Sequence, residues 1–513
     1  MHPGLLLASS TLCFLWGLWL FFSKKQYNAG VWALCLAALL LRLYMALVDP
    51  FLHDWDERFH ALVAKNMIVE PFRPMLRVNP ILPYDFTAWC CNHIWVHKQP
   101  LFLWQMALSM KVFGVNEWAL RLPSVILSSL MTYWTYRIAL IWTKDQATAF
   151  LAALLSTFSY YQLELTAGYL SLDHNDLVFT TYVTAGIWAF AEYTQKPGMR
   201  WALVAGICTG LAILVKWLTA LVIFGGAGLY LLSQRDQWNN WRFYKHWLSA
   251  FALALVIMAP WQLYILQSFP KESAWEYTYN FKHITERLGA FTAGDPLYYL
   301  KYLNEHFGIL LLPFLVFGML LVLLSKKYER RYNLPMLGMA GVFYLFFSLV
   351  VETQMPAFTY PVAAVILVLI AAGLEPCIRL VVESCKPNLQ LAIRAVLLVL
   401  VALASLQPAQ LRSNHSRANP ARQAKIHNTQ IFKNLDQTIA ADVVVFNCKS
   451  FEDTELMFYQ KNNAYHWYPT EPQLDSLLAN GHKIAAFQSH TNQGLPEYMT
   501  NNPRVRVIQQ EMK

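Results

Sequence analysis

The chain has 513 residues, of which 56% are hydrophobic and only 14% charged. A soluble domain carries roughly a quarter charged residues, so a soluble multidomain enzyme, a secreted disulfide scaffold and a disordered chain are excluded. The formal charge of +9, from 40 Lys+Arg against 31 Asp+Glu, fits membrane orientation and lipid headgroups rather than a nucleic-acid partner.

Apolar runs about 15–25 residues long recur from Leu5 to Leu406, which predicts an all-α polytopic membrane protein of about twelve transmembrane helices. Met1-His2-Pro3-Gly4 lacks a basic leader, so the run over 5–22 is expected to remain as a helix. Six basic clusters fall in alternate loops: Lys24-Lys25, Arg137 with Lys144, Lys196 with Arg200, Arg235 with Arg242 and Lys245, Lys326-Lys327 with Arg330-Arg331, and Arg379 with Lys386. Taking these as cytoplasmic puts 49–99, 166–172, 267–305, 352–356 and the tail after Ser405 on the outer side. Residues 100–113 are apolar but short, and counting them as a span would invert every later loop. They are expected to form a juxtamembrane or re-entrant helix on the outer face. Arg42, near the outer end of the second run, is expected to snorkel outward, with a packed structural role and a functional one as the alternatives.

The membrane part is assigned to 1–407 and a small extracytoplasmic α/β domain to 408–513. In the latter, Val443-Val444-Val445-Phe446 and Ile484-Ala485-Ala486-Phe487 predict buried strands, with a further strand at Val505-Arg506-Val507-Ile508. The segment 471–479 predicts a helix ending at Asn480-Gly481. No phosphate loop or catalytic cluster marks this region, so docking or a lid is its expected role. The eight cysteines show no zinc spacing and no disulfide framework.

The polar residues that need explaining sit where outer loops meet the membrane. The first loop begins Asp49-Pro50-Phe51-Leu52-His53-Asp54-Trp55-Asp56-Glu57-Arg58-Phe59-His60 and ends Trp95-Val96-His97-Lys98-Gln99-Pro100. A solvated interfacial loop is the bland reading of the acids. A snorkelling amine is that of Lys98, which can equally hold a lipid phosphate. Asp173 and Asp176, three apart at the entrance of the next run, would share one helical face; Asp173 also suits an N-cap. Asp176 must be solvated, paired or functional. Lys216 lies on the outer side, where orientation does not favour a lysine. His283 and Arg287, four apart, would share a helical face. Together, an outer cavity with Asp56, Glu57 and Asp176 opposite Lys98, Lys216 and Arg287 suits group transfer from a lipid phosphate. Cations would neutralise the leaving phosphate while a carboxylate takes the acceptor's proton. Asp56 is expected to have a raised pKa at the apolar interface.

These motifs resemble the GT-C membrane glycosyltransferases, in the protein O-mannosyltransferase-like branch that includes lipid A aminoarabinose transferase. The likeness is carried by Asp56-Glu57-Arg58-Phe59-His60-Ala61, Lys98-Gln99-Pro100-Leu101, Arg121-Leu122-Pro123-Ser124, Asp176, Lys216, Pro260-Trp261, His283 to Arg287, and Met355-Pro356-Ala357-Phe358-Thr359-Tyr360-Pro361. The resemblance implies sugar transfer from a polyprenyl-phosphate donor to a lipid, glycan or protein acceptor, at the outer face of a bacterial inner membrane. It implies Asp56 as the essential first-loop acid with Glu57 beside it and Asp176 as the second acidic position. Lys98, Arg287, Lys216 and Arg58 would form the phosphate-binding set, with His97, His283 and Asp173 elsewhere in the pocket. The family often has Tyr-Phe-Glu-Lys where this chain has Trp95-Val96-His97-Lys98, and often a Lys before the late Pro-x-Tyr stretch, where this chain has Gln354 and Phe358. No cofactor is required by this chemistry. A divalent ion bridging His97 and His283 with a carboxylate is the less favoured reading, because distant histidines are more often polar contacts. The rival class is a transporter or flippase of lipid-linked or anionic substrates, using the same cations as a path; no internal repeat supports it.

Overall fold

The protein is described from a computed structural model that covers residues 3–88, 91–170, 173–216, 218–289, 292–490 and 493–513. Among these, seven helices are long and apolar enough to cross a membrane: Gly4–Ser23, Tyr27–Ala46, Met199–Lys216, Trp241–Ser268, Arg330–Leu349, Pro356–Glu383 and Gln390–Asn414. Tyr298–Phe307 and Ile309–Leu324 form a further apolar pair, bent by 100°, with Gly308 between them at φ +83°. Glu117–Thr143 and Asp173–Gln195 have 27 and 23 residues, or roughly 40 and 35 Å at 1.5 Å per residue. Their polar residues are enclosed by neighbouring helices: Ser124, Ser128, Thr132 and Thr135 of the first are buried. Outer members such as Trp241–Ser268, 22% buried, keep their apolar faces outward, as a lipid-facing helix must. The molecule is an integral membrane protein.

Small residues set the tightest packing. A Cβ on Gly318 would lie 1.9 Å from the Leu369 carbonyl oxygen, so only glycine lets Leu312–Leu324 approach Ala363–Glu383 this closely. Pro100–Phe113 is a 14-residue helix closed by Gly114 at φ +86°. At about 21 Å it falls short of the roughly 30 Å hydrocarbon core. Arg42 does not snorkel. It is 0% exposed and donates to the Ser156 carbonyl (2.9 Å) and Gln162 Oε1 (2.7 Å), so it ties helices together.

The basic loops assigned to the cytoplasm meet at one end of the bundle. Arg379 pairs with Asp145 at 3.0 Å, Lys144 reaches the Tyr332 hydroxyl at 3.2 Å, and Arg137 pairs with Glu192 at 2.7 Å. The first outer loop, the Pro270–Thr285 helix and the C-terminal region gather at the other end.

The expected C-terminal strands form a parallel sheet with Lys483–Phe487 in the centre, flanked by Val443–Phe446 and Val505–Ile508. Ile484 lies opposite Val444 on one side and Val505 on the other. Glu471–Ala479 begins with a Thr470/Gln473 capping box and is followed by Asn480 and then Gly481 at φ +82°. The sheet's core is shared with the first loop: Leu82 packs among Val444, Phe446, Leu474 and Ile484.

Candidate active site

The first outer loop turns sharply at Trp55, whose φ of +62° is a left-handed conformation that a bulky residue adopts only when its surroundings force it. The Asp56–Met67 helix starts immediately after. Successive residues on a helix diverge by about 100°, so Asp56, Glu57 and Arg58 enter three different environments.

Asp56 faces Lys98, Nζ to Oδ2 3.4 Å, with both side chains just under one-fifth exposed. Glu57 is 0% exposed. Its oxygens accept Arg121 Nε at 2.7 Å, Arg121 Nη2 at 3.0 Å and the His53 amide at 2.6 Å, and His174 Nε2 lies 3.0 Å away. Arg121 completes the network by donating to the carbonyls of Ala46, Asp49 and Phe51. The carboxylate abuts Gly168, where a Cβ would come within 2.7 Å of both oxygens and where φ is +80°. Arg58, expected among the phosphate ligands, points elsewhere. Its guanidinium lies 2.8 Å from Asp54, 3.5 Å from Glu452 and 3.3 Å from Glu455, in the seam with the C-terminal region.

Across from Asp56, Lys216 ends the Met199–Lys216 helix and donates to Asp176 Oδ1. Its ammonium stands 5.1 Å over the Phe358 ring. Asp176 is buried, so this lysine is its partner rather than an interfacial charge. The Asp173 side chain lies outside the described residues. His97 turns Nδ1 to Glu276 Oε1 at 2.8 Å, and Glu276 also accepts from Asn280 at 2.9 Å. His283 follows two turns after Glu276 on the same helix, with the Tyr279 ring 5.1 Å away. The helix ends at Thr285 and Glu286 is extended (φ −136°, ψ 151°), so Arg287 lies beyond it, exposed, and does not share a helical face with His283.

The charges act on one another. Burial alone would raise the Asp56 carboxyl. Lys98, then His60, His97 and Lys216, outweigh that and hold it below the usual aspartate range. The expected raised pKa is therefore overturned: the groups converging on Asp56, Lys98 foremost, outweigh burial. Glu276 is likewise held low, burial being offset by His97 and Lys98. Burial, with His97, Lys98 and Lys216 nearby, pushes His283 down to about 4, so it is neutral at pH 7. Asp176 belongs to the same field, within electrostatic reach of Lys98 and Asp56.

Glu276 was not foreseen, although its seven-residue spacing to His283 is a signal for one helical face. Arg121 and Gly168 were equally hidden: the first lay inside a quoted motif without a role, and the second shows its purpose only against Glu57. Among the described residues no group of three or more His, Cys, Asp or Glu is set to hold a metal ion. The arrangement supplies a cationic patch (Lys98, Lys216) beside an ionised carboxylate. That suits stabilising a departing phosphate while a proton is taken from an attacking group.

Comparison with known proteins shows the fold first: it is GT-C-like. The undecaprenyl-phosphate-bound ArnT of Cupriavidus metallidurans superposes with a TM-score of 0.59 at 16% identity, covering 92% of this chain and 88% of that chain. The Archaeoglobus fulgidus oligosaccharyltransferase AglB, in complex with an inhibitory peptide and a dolichol-phosphate, superposes at 0.58 with 14% identity, over 88% and 65%. The family described as dolichyl-phosphate-mannose-protein mannosyltransferase matches residues 97–264. Within the class, the chain resembles the aminoarabinose transferases. An undecaprenyl phosphate-alpha-4-amino-4-deoxy-L-arabinose arabinosyl transferase of Pseudomonas savastanoi is 25% identical over 52% of this chain and 46% of that protein. An uncharacterized protein of Aquifex aeolicus is 27% identical over 61% and 58%. The chain thus spans about half the length of the curated relatives it matches.

Proposed function

We propose that the protein transfers a sugar from a polyprenyl-phosphate donor to a lipid, glycan or protein acceptor at the extracytoplasmic face of a bacterial inner membrane. The observation that carries this reading is the pairing of Asp56 with Lys98 at 3.4 Å, beside the Lys216–Asp176 pair, at the end of the bundle away from the basic loops. The acceptor hydroxyl or amine attacks the anomeric carbon from the face opposite the phosphate and gives its proton to Asp56. The carbon–oxygen bond to the phosphate breaks, and the phosphate departs with the electron pair. It is already a weak base, so no general acid is needed, and the outcome is inversion.

Lys98 has two tasks in this scheme. Before the donor binds, it pairs with Asp56 and keeps it ionised. When the phosphate arrives, the ammonium's charge is shared with it, so Asp56 loses its main stabiliser and becomes a stronger base where the acceptor waits. Lys216, oriented by Asp176, and Arg287 complete the phosphate-binding set. Glu57 acts as a positioning residue, and the Glu276–His97 pair borders the pocket. Membrane lipids surround the spans.

The test is reconstitution in lipid vesicles with a polyprenyl-phosphate-linked sugar. The enzyme releases free polyprenyl phosphate stoichiometrically with glycosylated acceptor. A transporter moves the donor across the bilayer intact, and that result would overturn the proposal.

A further inference from the structure

The sequence leaves the C-terminal region with no task beyond docking or acting as a lid, yet its contacts fall on the helix that carries Asp56. Glu452, Asp453 and Glu455, on the Glu452–Tyr459 helix, are all buried. Burying three carboxylates is unfavourable unless each is paired. Two of them flank Arg58, two residues after Asp56: Glu452 at 3.5 Å and Glu455 at 3.3 Å, the latter an ion pair without hydrogen-bond alignment. The acids are held in turn by Asn428, which donates to Glu452 at 2.9 Å, and by Thr429, which donates to Glu455 at 2.5 Å. Asp453 pairs with Arg77, whose guanidinium lies over the Tyr465 ring at 4.5 Å.

The other end of the Asp56–Met67 helix is tied to the same partner. Lys65 Nζ donates to the carbonyls of Met457 (2.6 Å) and Gln460 (2.7 Å), satisfying the last turn of Glu452–Tyr459. At the N-terminal ends, Trp55 and Phe451 both have positive φ, +62° and +64°, and their rings are 5.2 Å apart. Each residue immediately precedes one of the two helices, so two strained turns brace each other.

We propose that Glu452 and Glu455 are positioning residues for Asp56: by gripping Arg58 they fix the rotation and height of the Asp56–Met67 helix against Lys98. The C-terminal region is then an integral brace of the site rather than a lid. The inference rests on the glycosyltransferase reading for its catalytic consequence, and on geometry alone for its mechanical one. Arg58 faces Asp54 as well as the two glutamates, with Lys425 2.6 Å from Asp54.

The experiment uses the full-length protein in lipid nanodiscs, comparing wild type, E452Q/E455Q, and D442N, which breaks only the exposed pair with Lys483. Hydrogen exchange and steady-state transfer are measured on the monodisperse fraction. E452Q/E455Q is expected to exchange about tenfold faster across residues 56–67. Its kcat should fall about tenfold while the apparent KM for the polyprenyl-phosphate donor stays unchanged, because the acid is misplaced and the donor contacts are not. D442N should match wild type in both. If E452Q/E455Q does not accumulate, R58K, which keeps the charge but loses the fork, is measured in the same way and should change in the same direction. Wild-type exchange over 56–67 in the variant overturns the brace. Faster exchange with wild-type kcat overturns its link to Asp56. A wild type that transfers no sugar defeats the enzyme reading separately, and the exchange result then decides the brace alone.

Discussion

Glu57 and Asp56 are adjacent carboxylates, and exchanging each for its amide separates positioning from chemistry. Glu57→Gln removes the charge from a side chain 0% exposed that accepts two bonds from Arg121 and one from the His53 amide. The amide retains one acceptor oxygen and turns an NH2 toward donors. Breaking a buried ion pair from one side costs about 3–5 kcal/mol, a large part of the roughly 5–15 kcal/mol by which a protein is stable. At about 1.4 kcal/mol per decade, the unfolding equilibrium moves by about two to three and a half decades. The assay is the rate of thermal aggregation of detergent-solubilised protein, followed by light scattering and by size-exclusion recovery. Glu57→Gln should aggregate at least about tenfold faster than wild type, while Asp56→Asn, at a partly exposed position, should not. Gly168→Ala tests the same network independently, because its Cβ would collide with the Glu57 carboxylate at 2.7 Å. A Glu57→Gln protein as stable as wild type but inactive would refute the positioning role and make Glu57 a reacting group.

Other expectations follow from the same geometry. Lys98→Ala should raise the apparent donor KM about ten- to hundredfold, the value of a charge-assisted bond to phosphate. It should also move the acid limb of kcat/KM to higher pH, because Lys98 is the largest influence lowering Asp56; an unmoved limb and KM would contradict both of its roles. Glu276→Gln should lower kcat/KM about tenfold by loosening His97, and wild-type kinetics would remove that pair from the site. His415 is raised to about 9: burial opposes the shift, but Asp49 at 2.6 Å and Glu164 at 2.9 Å outweigh it. A raised folded pKa gives stability that is fully present below the unfolded value of about 6.5 and is lost as pH rises through 9. Protease resistance of the 408–433 segment should therefore fall between about pH 6.5 and 9, and His415→Gln should flatten that dependence.

Much of the fold was legible because a bilayer imposes one rule on many residues: apolar runs must be helical, and basic loops sort to one end. The strands at Val443–Phe446, Lys483–Phe487 and Val505–Ile508 were legible for a related reason, as short apolar β-branched or aromatic runs between turns. The site was legible where a charge stood out against an apolar background, as at Asp56, Lys98, Asp176 and Lys216. What sequence could not supply was direction. Asp56, Glu57 and Arg58 look equivalent in a line, and only the helix turns one toward Lys98, one into the Arg121 network and one toward Glu452. The sign of the Asp56 shift failed similarly, since burial was legible but the convergence of Lys98, His60, His97 and Lys216 was not. The shared helical face of His283 and Arg287 was misjudged because nothing in the string marks the helix end at Thr285.

The central claim, that Asp56 takes the acceptor's proton while Lys98 holds the donor phosphate, is tested most directly by Asp56→Asn in lipid nanodiscs. Donor binding and polyprenyl phosphate release are measured on the same sample. The Asp56→Asn protein is expected to bind donor within about threefold of wild type and to release polyprenyl phosphate at least about a hundredfold more slowly. Release at the wild-type rate with unchanged stability would contradict the claim.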